Sequence, residues 1–152
     1  SFAPNSPITR GMLVTVLYRN EGCPKVTSDE TFSDLKNDVY YADAVKWAKI
    51  NGIVNGITES EFAPDQNITR QQIATILHRY AKYKNYNVSE GEEANLLSYE
   101  DCSDVSEYAI ASMQYAVKTG LMKGKTESTL NPLDNSTRAE MAAMLLRFIE
   151  KM

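Results

Sequence analysis

Apolar residues fall at three- and four-residue steps in three stretches of the chain. These are Leu13, Val16 and Leu17 near the start, Ile68, Ile73, Ile76, Leu77 and Tyr80 in the middle, and Met141, Met144, Leu145, Phe148 and Ile149 near the end. Such spacing puts the members of each set on one face of a helix. It predicts helices over roughly 9–20, from residue 69 onward, and from 137 towards 151. Two more amphipathic stretches, 41–50 and 108–119, run into Asn51-Gly52 and Gly120. A glycine just past the last periodic residue reads as a helix stop. Polar segments, 21–31 and 84–98, separate these elements, and the second carries Glu90, Glu92 and Glu93, which read as a solvated charge run. Tyr80, Tyr83 and Tyr86 step by three along a helix end, which reads as core and edge packing rather than a binding stripe.

The elements repeat. Phe2-Ala3-Pro4-Asn5-Ser6-Pro7-Ile8-Thr9-Arg10 returns as Phe62-Ala63-Pro64-Asp65-Gln66-Asn67-Ile68-Thr69-Arg70, and again as Leu130-Asn131-Pro132-Leu133-Asp134-Asn135-Ser136-Thr137-Arg138. The full unit opens at Phe32-Ser33-Asp34-Leu35, or Tyr99-Glu100-Asp101-Cys102. A first helix follows, then a short apolar piece between glycines (Ile53-Val54-Asn55-Gly56, matched by Leu121-Met122-Lys123-Gly124), a proline turn and a second helix. Residues 1–25 hold only the C-terminal half of a first copy, 26–86 a second and 87–152 a third. The reading is therefore of a piece cut from a longer protein. Two short helices cannot bury an apolar stripe alone, so the copies must pack on one another, as a short solenoid or a threefold bundle.

Composition narrows the function. The chain has 152 residues and a net charge of −4, with a pI near 5.1, which argues against nucleic acid and anionic membrane surfaces. No apolar run approaches the ~20 residues that span a bilayer. Cys23 and Cys102 stand apart with no metal-type spacing; two free thiols are the favoured reading, and a disulfide in an oxidising compartment stays open if the fold brings them close. No serine elbow, phosphate loop or metal-ligand pattern appears, so no cofactor is expected. The single histidine, His78, aligns with Tyr18 and Leu146, and Glu92-Glu93 lie in a linker. Catalysis within this stretch is not expected.

Each Thr-Arg pair invites a separate reading. Thr9, Thr69 and Thr137 sit where an N-cap belongs. Gln72 and Glu140 complete capping boxes three residues on, whereas Met12 leaves the first box incomplete. The arginines are less easily explained, because a cation in the first helical turn opposes the macrodipole by about 0.3–1 kcal/mol. Two accounts are open: an ion pair with an acidic residue of a neighbouring copy, such as Asp34 or Asp101, or an anion shared by the guanidinium and the helix N-terminus. Arg19, Arg79 and Arg147 recur nine residues later, near helix C-termini that suit a cation, and read as structural. Trp47 and its counterpart Tyr115 could stack on a sugar or fill the core. Gly52 and Gly120 are helix stops that could also admit a ligand close to the backbone.

Taken together, Phe-Ser-Asp-Leu, Asn-Gly-Ile-Val-Asn-Gly, Phe-Ala-Pro-Asp and Ile-Thr-Arg resemble the S-layer homology repeat. The third copy keeps Thr137-Arg138-Ala139-Glu140, the most recognisable tetrapeptide of that family; Thr69-Arg70-Gln71-Gln72 and Thr9-Arg10-Gly11-Met12 depart from it. The resemblance implies an all-α fold of tandem two-helix repeats in a pseudo-threefold assembly, here with an incomplete first repeat. It also implies a secreted bacterial protein held at the cell surface by non-covalent attachment to a secondary cell-wall polysaccharide, often pyruvylated, in grooves between copies. Ligand contact would fall on Arg10, Arg70 and Arg138, with Trp47, Gly52, Tyr115 and Gly120 contributing. Arg70 and Arg138 are expected to matter more than Arg10, which lacks a complete neighbouring copy. The alternative is self-association, or docking of protein, through apolar surface left by the incomplete copy.

Overall fold

The computed structural model describes residues 3–91 and 94–150, so Phe2, Glu92, Glu93 and Lys151 lie outside the described residues. Five α-helices carry the fold: α1 (Arg10–Asn20), α2 (Ala42–Ile50), α3 (Arg70–Tyr83), α4 (Ile110–Lys118) and α5 (Arg138–Glu150). Among the described residues there is no strand, only three isolated bridge pairs. The fold is all-α, built of tandem helical repeats. The main departure from the periodicity is the start of α4. Its predicted first turn is a separate 3₁₀ turn, Glu107–Ala109, closed by Ala109 N–H on the Ser106 carbonyl at 2.8 Å.

The chain divides into two compact units, Ile8–Asn67 and the remainder. Neither coincides with a sequence repeat. In the first unit α1 packs on α2, and in the second α3 packs on α4. Each pairing joins the second helix of one copy to the first helix of the next. The stripe predicted on α3 is buried in full: Ile68, Ile73, Ile76, Leu77 and Tyr80. On α1 the buried set is Leu13, Val14 and Leu17, and Val16 is only half-buried. The last described helix is α5. It buries Met144 and Phe148, whereas Leu146 and Ile149 are exposed. Phe148 packs on Tyr80 and Tyr86, with centroids 5.6 and 6.0 Å apart.

The helix ends follow local chemistry. Thr9 and Thr69 cap α1 and α3, and the boxes with Met12 and Gln72 are both closed. The first was expected to be incomplete. Instead the Met12 thioether accepts the Thr9 N–H, with sulfur 3.5 Å from nitrogen, the role the amide oxygen of Gln72 plays for Thr69 at 3.0 Å. Sulfur is a weak acceptor, so this box is the weaker one. Gly52 and Gly120 take positive φ, 72° and 74°, and end α2 and α4. A glycine relieves the left-handed strain there.

His78 is a buried member of the α3–α4 pair. Its ring stacks on Tyr115, with centroids 4.7 Å apart, and Nδ1 shares a hydrogen bond with the Ser112 hydroxyl at 3.0 Å. Burial pushes its pKa down to about 4, and the Lys82 and Arg79 charges add to the shift. The unfolded chain takes up this proton near pH 6.5 but the folded chain does not, so His78 lowers stability as pH falls from about 6.5 to about 4 and has no such effect above that window. The loss expected by pH 4 is about 3 kcal/mol. Thermal midpoints of the wild type and of His78→Gln, compared between pH 7 and 4.5, should differ in slope, with the variant the flatter of the two.

Candidate functional site

Each Thr-Arg pair plugs into the proline turn of the copy after it, or, for the last pair, into the turn at the chain start. Within the first unit, Arg10 N–H donates to Gln66 O at 3.0 Å and Gly11 N–H to Pro64 O at 2.8 Å. Within the second, Arg70 and Gln71 donate to Asp134 O and Pro132 O, both at 2.9 Å, and Arg138 and Ala139 to Ser6 O and Pro4 O at 3.0 and 3.1 Å. The next amide, of Met12, Gln72 or Glu140, is taken by its threonine hydroxyl. The first three amides of each helix are thus already satisfied. The expectation that an anion shares a helix N-terminus with the arginine does not hold, because turn carbonyls occupy the amides it would need. At position 11, glycine also relieves crowding: a Cβ there would stand 3.1 Å from Pro64 O and 3.2 Å from the Tyr41 ring.

The arginine side chains follow their amides into the same turns. Arg10 Nε donates to Phe62 O at 2.9 Å, and its guanidinium lies 4.6 Å from the Phe62 ring centroid. Arg70 Nε donates to Leu130 O at 2.9 Å and Nη2 to Lys123 O at 2.7 Å. Its Nη1 pairs with Glu140 Oε2 at 3.3 Å, and the Arg70 side chain is only 6% exposed. Several carbonyl dipoles therefore converge on a cation that would otherwise oppose the helix dipole. Arg138 is half-buried, and among the described residues its buried Nε has no acceptor. The residue in the position of Phe62 and Leu130 is there Phe2.

Asp34 and Asp101, the acidic partners considered for these arginines, serve a different purpose. The Asp34 carboxylate accepts the Phe62 and Ala63 N–H groups at 3.0 and 2.8 Å. Asp101 accepts those of Leu130 and Asn131, both at 2.8 Å. Ala63 and Asn131 have positive φ, 59° and 51°. The aspartate thus clasps a turn whose backbone is strained and aims the carbonyl that the arginine uses.

Beside Arg70 lies a pocket of about 320 Å³, lined by Arg70, Met122, Lys123, Gly124, Lys125, Glu140, Ala143, Met144 and Arg147. Four cations and one carboxylate face it, a local excess of positive charge in a chain whose net charge is −4. Met122, Ala143 and Met144 supply apolar surface. Lys125 Nζ lies 3.7 Å from Asp134 Oδ2 and 3.9 Å from Glu140 Oε1, and its side chain is 45% exposed. Arg147 makes one long bond, Nη1 to Leu121 O at 3.4 Å.

Of the residues marked from the sequence, Arg70 alone is in this pocket. Trp47 is buried in the first unit against Tyr18, with centroids 5.6 Å apart. Tyr115 is buried in the second, under Gly91, where any Cβ would collide with Tyr115 backbone. Lys123, Lys125, Glu140 and Arg147 were not marked. The visible signal was the Lys-Gly-Lys of the third copy against Asn55-Gly56-Ile57 of the second. Cys23 and Cys102 are free thiols. Among the described residues no cluster of His, Cys, Asp and Glu is arranged to hold a metal, and no helix is long and apolar enough to cross a membrane.

Comparison with known proteins decides the family. The model of the S-layer homology domain matches residues 31–74 and 98–142, more than half of the chain. The chain belongs to the S-layer homology (SLH) family. It is 34% identical over 151 residues to an endoglucanase of Bacillus sp. (strain KSM-635), covering 99% of this chain and 16% of that protein. It is 31% identical over 153 residues to the surface-layer 125 kDa protein of Lysinibacillus sphaericus, covering 99% and 12%. Against a cellulosome-anchoring protein of Acetivibrio thermocellus the identity is 26% over 155 residues, covering 99% and 34%. This SLH chain thus spans between 12% and 34% of the length of these relatives. The family and the surface-layer and anchoring relatives place it at the cell surface, in an anchoring role.

Proposed function

We propose that this SLH chain is a non-catalytic module that anchors its parent protein by binding an anionic secondary cell-wall polysaccharide, such as a pyruvylated one. The observation that carries the reading is the pocket beside Arg70: an acidic chain concentrates four cations around a cavity of about 320 Å³ with an apolar floor. Local positive charge, and not net charge, is what an acidic polymer requires of an acidic protein. A sugar ring offers both an apolar face and a charged substituent, and this lining suits both. The endoglucanase relative fits the same scheme, since the matched stretch is a small share of that protein.

The test is a pull-down of the chain on purified wall sacculi, before and after their non-peptidoglycan polymer is stripped. Binding should be strong on intact sacculi, lost on stripped ones, and weakened as salt rises. Equal binding to both preparations would sink the polysaccharide reading. The exposed Leu146 and Ile149 on α5 favour a second reading, association of the chain with itself through that face. A sedimentation mass that rises with concentration, and stops rising in Leu146→Glu, would support it.

A further inference from the structure

We propose that two positions on each second helix carry keys that decide which first helix it accepts, so that α3 takes α4 and refuses α2. The positions are the second residue of the helix and the one two turns further on. They hold Gly11 and Tyr18 in α1, Gln71 and His78 in α3, and Ala139 and Leu146 in α5. Between them lie Val14 and Leu17 in α1 and Ala74 and Leu77 in α3, all buried. Apolar burial of that kind is non-directional and gives stability without choice of partner.

At the first position the two helix pairs trade volume. Gly11 is buried beside Tyr41, and a Cβ on it would stand 3.2 Å from that ring. In the other pair Ala109 matches Tyr41, and the long side chain is on the opposite helix. Gln71 Nε2 donates to the Ser106 hydroxyl at 2.7 Å and to the Tyr108 hydroxyl at 3.4 Å, and its Oε1 accepts the Ser106 N–H at 2.9 Å. Small faces large in one pair, and large faces small in the other.

At the second position they trade polarity. Tyr18 packs on Trp47, with centroids 5.6 Å apart. His78 stacks on Tyr115 and shares a hydrogen bond with the Ser112 hydroxyl, which is itself buried. The residue of α2 that matches Ser112 is Ala44, also buried and with no polar group to offer.

A crossed pair fails at both positions. With α2, α3 would drive Gln71 into the Tyr41 ring and set a buried imidazole nitrogen against Ala44. Asp38 would stand where Gln71 meets Ser106. With α4, α1 would leave a void between Gly11 and Ala109 and take from Ser106 and Ser112 the partners they have now. Neither Ala139 nor Leu146 of α5 can supply those partners to α4. Repeats built on one plan are prone to pair out of order. Discrimination here comes from what each wrong pairing costs as well as from what the right one gains.

Trp47, the single tryptophan, reports the choice from α2. In the whole chain, Gln71→Gly with His78→Tyr gives α3 the keys of α1. Gln71→Ala with His78→Ala removes the keys of α3 and supplies none. Both variants should lower the thermal midpoint by about 5 °C or more. Only the first makes α3 a rival for α2, so only the first should alter Trp47 emission at 25 °C, although neither substitution lies in the unit that holds Trp47. Adding Ala109→Tyr and Ser112→Ala to the first variant gives α4 the keys of α2, and should restore roughly half or more of the lost midpoint. Trp47 emission that is the same in both two-residue variants, or losses on α3 and α4 that simply add, would overturn the proposal.

Discussion

Arg70→Ala is expected to lower the thermal midpoint of the chain by roughly 6–12 °C, an effect on folding that precedes any effect on binding. The substitution removes three side-chain hydrogen bonds, one of them to a carboxylate. It leaves Leu130 O buried without that donor and Glu140 without its partner. Stranding groups of this kind costs about 3 kcal/mol, and in a domain of this length each 1 kcal/mol moves the midpoint by about 2–4 °C. Arg70→Lys should recover only part of the loss, since an ammonium on a flexible stem cannot reach three acceptors in the fixed geometry of the guanidinium. The measurement is a melting curve for each variant. A midpoint within a degree of the wild type for Arg70→Ala would mean that the three contacts contribute nothing to the fold, and Arg70 would then be available as a direct ligand contact. A binding assay on Arg70→Ala alone cannot make that distinction, because a loosened pocket and a lost contact both weaken affinity.

Much of the architecture was legible in the sequence because it rests on signals repeated at fixed intervals. The buried stripe of α3, the threonine caps and the glycines after α2 and α4 are each dictated by residue type and local spacing. The shortfalls have physical reasons. Val14, not Val16, is buried on α1 because the register of a short helix against its partner is decided by tertiary packing, to which a four-residue pattern is blind. The three-residue turn before α4 was read as α-helix because the two share composition. An acidic partner from the neighbouring copy was legible in kind for Arg70, which pairs with Glu140 and not with Asp34 or Asp101; the other acceptors, Phe62 O, Leu130 O and Lys123 O, are backbone carbonyls, which leave no trace in residue identity. The two aspartates were visible as a recurring feature, but an acceptor of backbone N–H groups some thirty residues away has no local signature. The pocket was the least legible part. Its cations come from a loop and a helix C-terminus distant in sequence, and only the difference between Lys123-Gly124-Lys125 and Asn55-Gly56-Ile57 hinted at it.

Asp101→Ala should destabilise the chain by about 3 kcal/mol and also weaken anion binding, although Asp101 is not among the residues that line the pocket. Its carboxylate accepts two N–H groups from the start of the third-copy turn, and hydrogen bonds to a charged acceptor are worth about 1.5–3 kcal/mol each. One of those residues, Asn131, is held at a φ of 51°, a conformation that asparagine tolerates but does not need. Without the clasp, the turn is free to relax and carry Leu130 O away from Arg70 Nε. The guanidinium then loses the acceptor that fixes its plane, and the pocket loses the wall that Arg70 and Lys123 form together. Stability and affinity should therefore fall together in Asp101→Ala. The reverse change is available at the matching position of the second copy. Ala63 holds a φ of 59° with no polar side chain to favour it, and Ala63→Asn, which copies the third-copy residue, should raise the midpoint by a few degrees. Melting curves and the sacculus pull-down on these variants suffice. If Asp101→Ala melted lower but bound the anion as tightly as the wild type, the turn would be holding the fold without shaping the pocket.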